Sequence, residues 1–415
     1  MPIRPAVAAL ICAALAACTT APVRDPVPVA LTDAAQPVGF ERVRFWGDVN
    51  DPALIEQAMI ARAVEMRDLH GPEAAAGRTP KETFLAISGG GQYGAFTAGV
   101  LTAWTETGER PEFSVVSGIS TGSIIAPFAF LGPKYDPVLR EVYTETRTED
   151  LLEPQLLTGL FGGSSLANTQ GLQDTIAEHV TADFLAEIAA AHEDGRRLFM
   201  GTTNIDAGRS VIWNMGEIAS RGTPEAVDLF RKVILASAAI PVAFPPVFFD
   251  VEANGETFRE MHVDGGVTSQ VNVLSPQVPA YLFDDLIGFH IDRDLYVIVN
   301  GAVRPPAEVV EATVPAIAGA SIDRLWYAQA VGDLYRIHAV VQRDEVGANY
   351  GWIPAAFDAE PTEEFDPVFM GALFELGAEL LRSGELWRQT PPGYTARGST
   401  AVERGERTMP TLPPS

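Results

Sequence analysis

Cysteine is almost missing from this chain: 415 residues contain two, Cys12 and Cys18. So few exclude a disulfide scaffold and a cysteine metal cluster. Histidine is scarce too, with six, and no pair stands at metal-ligand spacing, so no metal is expected. Basic residues are outnumbered, 29 Lys and Arg against 54 Asp and Glu, for a net charge of −25. That balance excludes nucleic acid, whose phosphates demand basic patches, and electrostatic docking on anionic lipid, which uses clusters of Lys and Arg. The N-terminal apolar run, residues 5–17, is shorter than the roughly 20 residues a membrane-spanning helix needs. What is present is an ordinary globular mixture, 47% hydrophobic and 20% charged, long enough for one large or two modest domains.

Arg4 ahead of the run at 5–17 reads as a secretory signal. Its ending, Leu15, Ala16, Ala17 and Cys18, resembles the bacterial lipoprotein signal, which implies cleavage after residue 17 and lipidation of Cys18. Acyl chains would hold so acidic a chain at a membrane, each buried CH₂ contributing about 0.8 kcal/mol. By resemblance to lipoprotein sorting rules, Thr19 rather than Asp after the cysteine implies the outer membrane, where the envelope has one. Residues 18–40 carry Pro22, Pro26, Pro28 and Pro37 and read as a semi-extended tether.

The globular part is expected over 41–388. Asp51 as N-cap and Pro52 at the first helical position open a helix to about residue 69. Apolar segments at 84–88, 113–117, 198–204, 211–214, 258–263 and 295–300 read as strands alternating with helices. This implies an α/β fold, three layers with a largely parallel central sheet. Further helices are expected over 307–345 and 366–387, and a flexible tail over 389–415. Pro127 falls inside a predicted helix and is expected to kink or split it.

Three motifs carry chemistry. Gly118, Ser120 and Gly122 form G-x-S-x-G directly after a strand and before a helix, a pattern that holds a serine hydroxyl over a helix N-terminus. Gly89, Gly90 and Gly91 follow the first strand and read as an oxyanion hole, since glycine leaves backbone N–H groups unobstructed. Asp264, with Gly265 and Gly266, closes the strand at 258–263. Read alone, this Asp-Gly is more ordinary as a turn.

Together, in this order, the motifs resemble the patatin-like phospholipases. The similarity extends to the small-residue segment 236–240 and the Phe244-Pro245-Pro246 turn, and spans about 84–300. It implies a Ser–Asp dyad, with Ser120 as nucleophile and Asp264 as general base, and a lipid or other acyl ester as substrate. The chain departs from the family at Ser88, where Asp is usual, and at Tyr93, where Arg or Lys is usual. No cofactor is implied, and oligomeric state is left open.

Parts of the sequence also fit other readings. Gly89, Gly91 and Gly94 also fit a dinucleotide fingerprint. That reading needs an acid at the end of the second strand, whereas Glu112 precedes it, and no Gly-Lys-Ser/Thr marks a phosphate loop. A Ser–His–Asp triad would have to draw on His290 or His338, after Asp264, or on His262; each reads as structural. Leu151, Leu152, Leu156, Leu157, Leu160 and Phe161, with Gly162 and Gly163, read either as a packed helix or as a flap. A non-catalytic envelope lipoprotein that binds lipid or serves as a scaffold is the alternative function.

Overall fold

The computed structural model describes residues 24–49, 51–154, 167–273, 277–303 and 309–394. Ten strands form one sheet: β1 Gln36–Pro37, β2 Arg44–Trp46, β3 Lys81–Ile87, β4 Val115–Ile119, β5 Arg197–Asn204, β6 Arg209–Asn214, β7 Val247–Ala253, β8 Glu256–Asp264, β9 Asp292–Ala302 and β10 Gly347–Ile353. The longer helices are α1 Pro52–Ala75, α2 Gly94–Thr107, α3 Thr121–Leu131, α4 Asp136–Thr144, α5 Gln170–His179, α6 Ala182–Glu193, α7 Pro224–Ser237, α8 Ala280–Ile287, α9 Val314–Arg343 and α10 Pro367–Ser383.

The main path of the sheet runs β1-β7-β8-β5-β4-β3-β9-β10, with β6 also on β5 and β2 on β6. Its central strands β5, β4, β3, β9 and β10 are parallel. The pairs β8–β5, β8–β7, β7–β1, β6–β5 and β6–β2 are antiparallel. Parallel strands covered on both faces read as continuous apolar runs, and β3 shows why. Leu85 and Ile87 join one core with Phe96, Phe130 and Phe374. Phe84 and Ala86 join another with Leu295, Val297 and Leu334, Ile337 and Val341 of α9. The sheet is therefore the middle of three layers.

Asp51 caps α1 as expected, accepting from the Ala53 and Leu54 amides at 2.9 and 3.4 Å. Four departures from the sequence reading have physical causes. First, α3 runs through Pro127 without a break; Ile125, Phe128 and Phe130 are buried around it, and that packing outweighs the roughly 3 kcal/mol an interior proline costs. Second, a strand, β10, stands between the two C-terminal helices and completes the parallel set.

Third, the end of the tether is packed rather than extended in solvent. Gln36 and Pro37 pair with Glu252 and Val251 at the sheet edge, a position that tolerates proline, and Ala35 and Phe40 are buried. Fourth, the start of the expected tail packs on α9. Tyr394 lies edge-on to His338 with ring centroids 4.6 Å apart, and Gln389 donates to Asn349 at 3.0 Å. Cys18 and residues 395–415 lie outside the described residues. No helix among the described residues is long and apolar enough to cross a membrane.

Candidate active site

The elbow is built by register. Ile119 of β4 pairs with Gly201 of β5 and Asp264 of β8 with Thr202, while β6 takes the other edge of β5, so β4 and β8 meet end to end along one edge of β5 and bring Asp264 to Ser120. Ser120 takes φ 55° and ψ −126°, a conformation costing a non-glycine residue about 1–3 kcal/mol. The turn is tight enough that a Cβ on Gly118 would strike the Gly122 carbonyl, and one on Gly122 the carbonyls of Ile87 and Ser88. Ser120 then leads straight into α3, whose N-terminus favours negative charge.

Ser120 and Asp264 are both buried, at 5% and 4% exposure. Asp264 Oδ1 accepts the Gly266 N–H at 2.7 Å. Oδ2 is buried without a hydrogen bond of good geometry among the described residues, although the Ser120 hydroxyl is near enough to favour the charged carboxylate. Burial dominates and pushes the Asp264 carboxyl up to about 7. A general base is most effective with a pKa near the working pH.

The glycine loop lies against Ser120: a Cβ on Gly89 would come 3.1 Å from the serine Cβ. Gly90, at φ 146°, backs onto the Asn300 carbonyl with no space for a side chain. The Gly89 N–H is already donated to the Gln270 carbonyl at 3.3 Å, which narrows the expected donor set. The Gly90 and Gly91 amides meet no protein acceptor among the described residues. Ser88, in place of the family's usual Asp, ties the loop to β9. Its hydroxyl accepts the Asn300 N–H at 2.8 Å and donates to the Gly89 carbonyl at 2.7 Å. Tyr93 turns into the core, edge-on to Phe369 with ring centroids 5.4 Å apart, so no positive charge replaces the family's basic side chain there.

An apolar cavity of about 70 Å³ opens beside Ser120 and Gly91. Ile124 and Phe128 of α3, Leu172 and Ile176 of α5, Ile234 of α7, and Phe244 line it. Leu151 and Leu152 line it also. Leu156, Leu157, Leu160, Phe161, Gly162 and Gly163 of the flap reading lie outside the described residues.

The candidate triad histidines are elsewhere. His262 is buried, with Nδ1 at 2.9 Å from Thr202 Oγ1 and Nε2 at 3.0 Å from Glu260 Oε2; Glu260 in turn pairs with buried Arg44. Glu260 and His262 share one strand face at i, i+2, which is the sequence signal for this pairing. His290 is solvent-exposed between Asp284 and Asp292, and His338 sits 3.2 Å from the Tyr350 hydroxyl. His179 does line the cavity, edge-on to Phe128. It is hydrogen-bonded to neither Ser120 nor Asp264, and its place late in α5 gave no sequence signal. Among the described residues, no group of three His, Cys, Asp or Glu side chains converges to hold a metal.

The model of the patatin-like phospholipase family matches residues 85–276. These residues form a patatin-like phospholipase domain. It holds Ser120, Asp264 and the glycine loop in one matched span, and lipid acyl hydrolysis is the activity such a domain implies in general. Among solved structures the chain is similar to VipD from Legionella pneumophila, with 14% identity and a TM-score of 0.36, over 74% of this chain and 67% of that one. No curated protein matches the chain.

Proposed function

We propose that this patatin-like chain is a serine hydrolase of lipid acyl esters that works through a Ser120–Asp264 dyad. The observation that carries this reading is a buried carboxyl held near pKa 7 beside a strained serine, both opening on an apolar slot. Ser120 Oγ attacks the ester carbonyl carbon while Asp264 takes the hydroxyl proton. The Gly90 and Gly91 N–H groups receive the oxyanion, each such donor contributing about 3 kcal/mol to barrier lowering. Collapse expels the alcohol, which takes the proton from Asp264 and leaves an acyl-enzyme on Ser120. Water, activated by the same carboxylate, then releases the fatty acid.

The cavity's lining suits an acyl chain: the surface it exposes is mostly apolar, with Ile124, Leu172, Ile176, Ile234 and Phe244 on its walls, so a chain entering it leaves water. Phospholipid, lysophospholipid and simple esters all meet that description. The test is release of free fatty acid from phospholipid in mixed micelles, with Ser120→Ala alongside. Fatty acid from the native chain and none from the variant supports hydrolysis. None from either, at any acyl length, favours the non-catalytic envelope lipoprotein.

Lipidation at Cys18 and residence in a bacterial outer membrane complete the proposal, resting on the signal-like residues 1–18. Incorporation of labelled palmitate that persists in Cys18→Ala would contradict it.

A further inference from the structure

A buried acid outside the matched span touches the loops of the site. Asp333 lies in α9, 8% exposed, on the helix that covers one face of the sheet. Its Oδ2 accepts from the Gln270 N–H at 2.7 Å and the Val271 N–H at 3.1 Å, and lies 3.1 Å from the Ser269 hydroxyl, whose shorter contact, at 2.8 Å, is with the Val271 carbonyl. Its Oδ1 accepts from Arg336 at 3.0 Å, and the same guanidinium reaches the Ser269 hydroxyl and the Val271 carbonyl, each at 3.2 Å. One carboxylate thus gathers two consecutive backbone donors and touches the hydroxyl of the residue before them.

The middle residue of that set joins the two halves of the site. The Gln270 carbonyl accepts the Gly89 N–H of the glycine loop at 3.3 Å. The Gln270 side chain donates through Nε2 to the Gly266 carbonyl at 3.0 Å. Gly266, through its own N–H, holds Asp264 Oδ1 at 2.7 Å. Two short chains of hydrogen bonds therefore lead from Asp333, one to the oxyanion loop and one to the base.

We propose that Asp333 is a positioning residue, which fixes residues 269–271 and through Gln270 sets both the glycine loop and the turn that carries Asp264. The proposal rests on the dyad reading above. A shift of about 1 Å in a reacting group suffices for a loss near 100-fold, so slackening one peptide at Gln270 is enough to register in rate. Loosening Gly266 also weakens an N–H that favours the Asp264 carboxylate, which raises the pH at which the base becomes active.

The test compares rate constants for labelling by a fluorescent fluorophosphonate in the native chain, Asp333→Ala and Asp333→Asn, across pH and scaled to folded protein by circular dichroism. Asp333→Ala is expected to label at least tenfold more slowly, with its pH midpoint moved upward. Asp333→Asn keeps one acceptor oxygen and is expected to fall between the two. Native rate and midpoint in Asp333→Ala, with only a lower melting temperature, would make the residue structural and overturn the proposal. If Asp333→Ala does not fold, Asp333→Asn decides: a native rate and midpoint overturn the proposal, a slower rate with a raised midpoint supports it. A native chain that does not label at all overturns the dyad, and this proposal with it.

Discussion

The main-chain N–H of Ser120 donates to the Ser237 hydroxyl at 3.0 Å. That hydroxyl donates in turn to the Gly201 carbonyl at 2.7 Å, and two residues on, the Ala239 carbonyl accepts the Asp264 N–H at 2.9 Å. The end of α7 therefore grips the backbone of both candidate catalytic residues. Ser237→Ala removes the acceptor of the buried Ser120 N–H and a donor to the Gly201 carbonyl. It is expected to lower stability by about 2 kcal/mol and to slow fluorophosphonate labelling at least tenfold, measured by urea unfolding and by labelling kinetics.

The strain at Ser120 predicts a difference between two inactive variants. Glycine adopts φ 55° without the penalty an alanine carries. Ser120→Gly is expected to be more stable than Ser120→Ala by about 1 kcal/mol, read as a higher urea midpoint at equal slope.

Asp264 predicts opposite effects of pH on rate and on stability. The base must be ionised, so labelling is expected to rise through about pH 7, where burial puts the Asp264 carboxyl. In the unfolded chain the same group titrates in the ordinary carboxylate range, near 3.9. Between those values the folded chain holds a proton that the unfolded chain has lost. The stability this gives is complete below the unfolded pKa and is lost as pH rises through about 7. Asp264→Asn, which never ionises, is expected to melt above the native chain at pH 8 and close to it at pH 4, by calorimetry.

The cavity predicts acyl-length selectivity. Ile176 of α5 lines the slot, and Ile176→Trp fills it. The ratio of rates on short over long p-nitrophenyl esters is expected to rise at least tenfold, with Ser120 labelling by a small fluorophosphonate preserved.

Much of this site was legible in the sequence because its parts are local. A G-x-S-x-G turn, a glycine loop and an Asp-Gly-Gly each declare themselves within a few residues, and the apolar runs beside them mark β3, β4 and β8. The tertiary partners were not legible. Ser237 and Asp333 meet the site across 117 and 63 residues, and no short-range pattern distinguishes them from an ordinary helix-end serine and a helix acid. On the antiparallel flank β6 and β8 were legible as apolar runs, whereas β7 was not, although Val247, Phe249, Val251 and Ala253 are buried in alternation. The edge strand β1 was hidden by its proline. Pro127 misled because propensity was read without the burial that overrides it.

The most direct test of the central claim is the position of a covalent adduct. The native chain is treated with a fluorophosphonate, digested, and the modified residue identified by mass spectrometry, with Ser120→Ala and Asp264→Asn in parallel. The expected result is a single adduct on Ser120, absent from Ser120→Ala and formed much more slowly in Asp264→Asn. An adduct on another serine, or native-rate labelling in Asp264→Asn, would contradict the dyad.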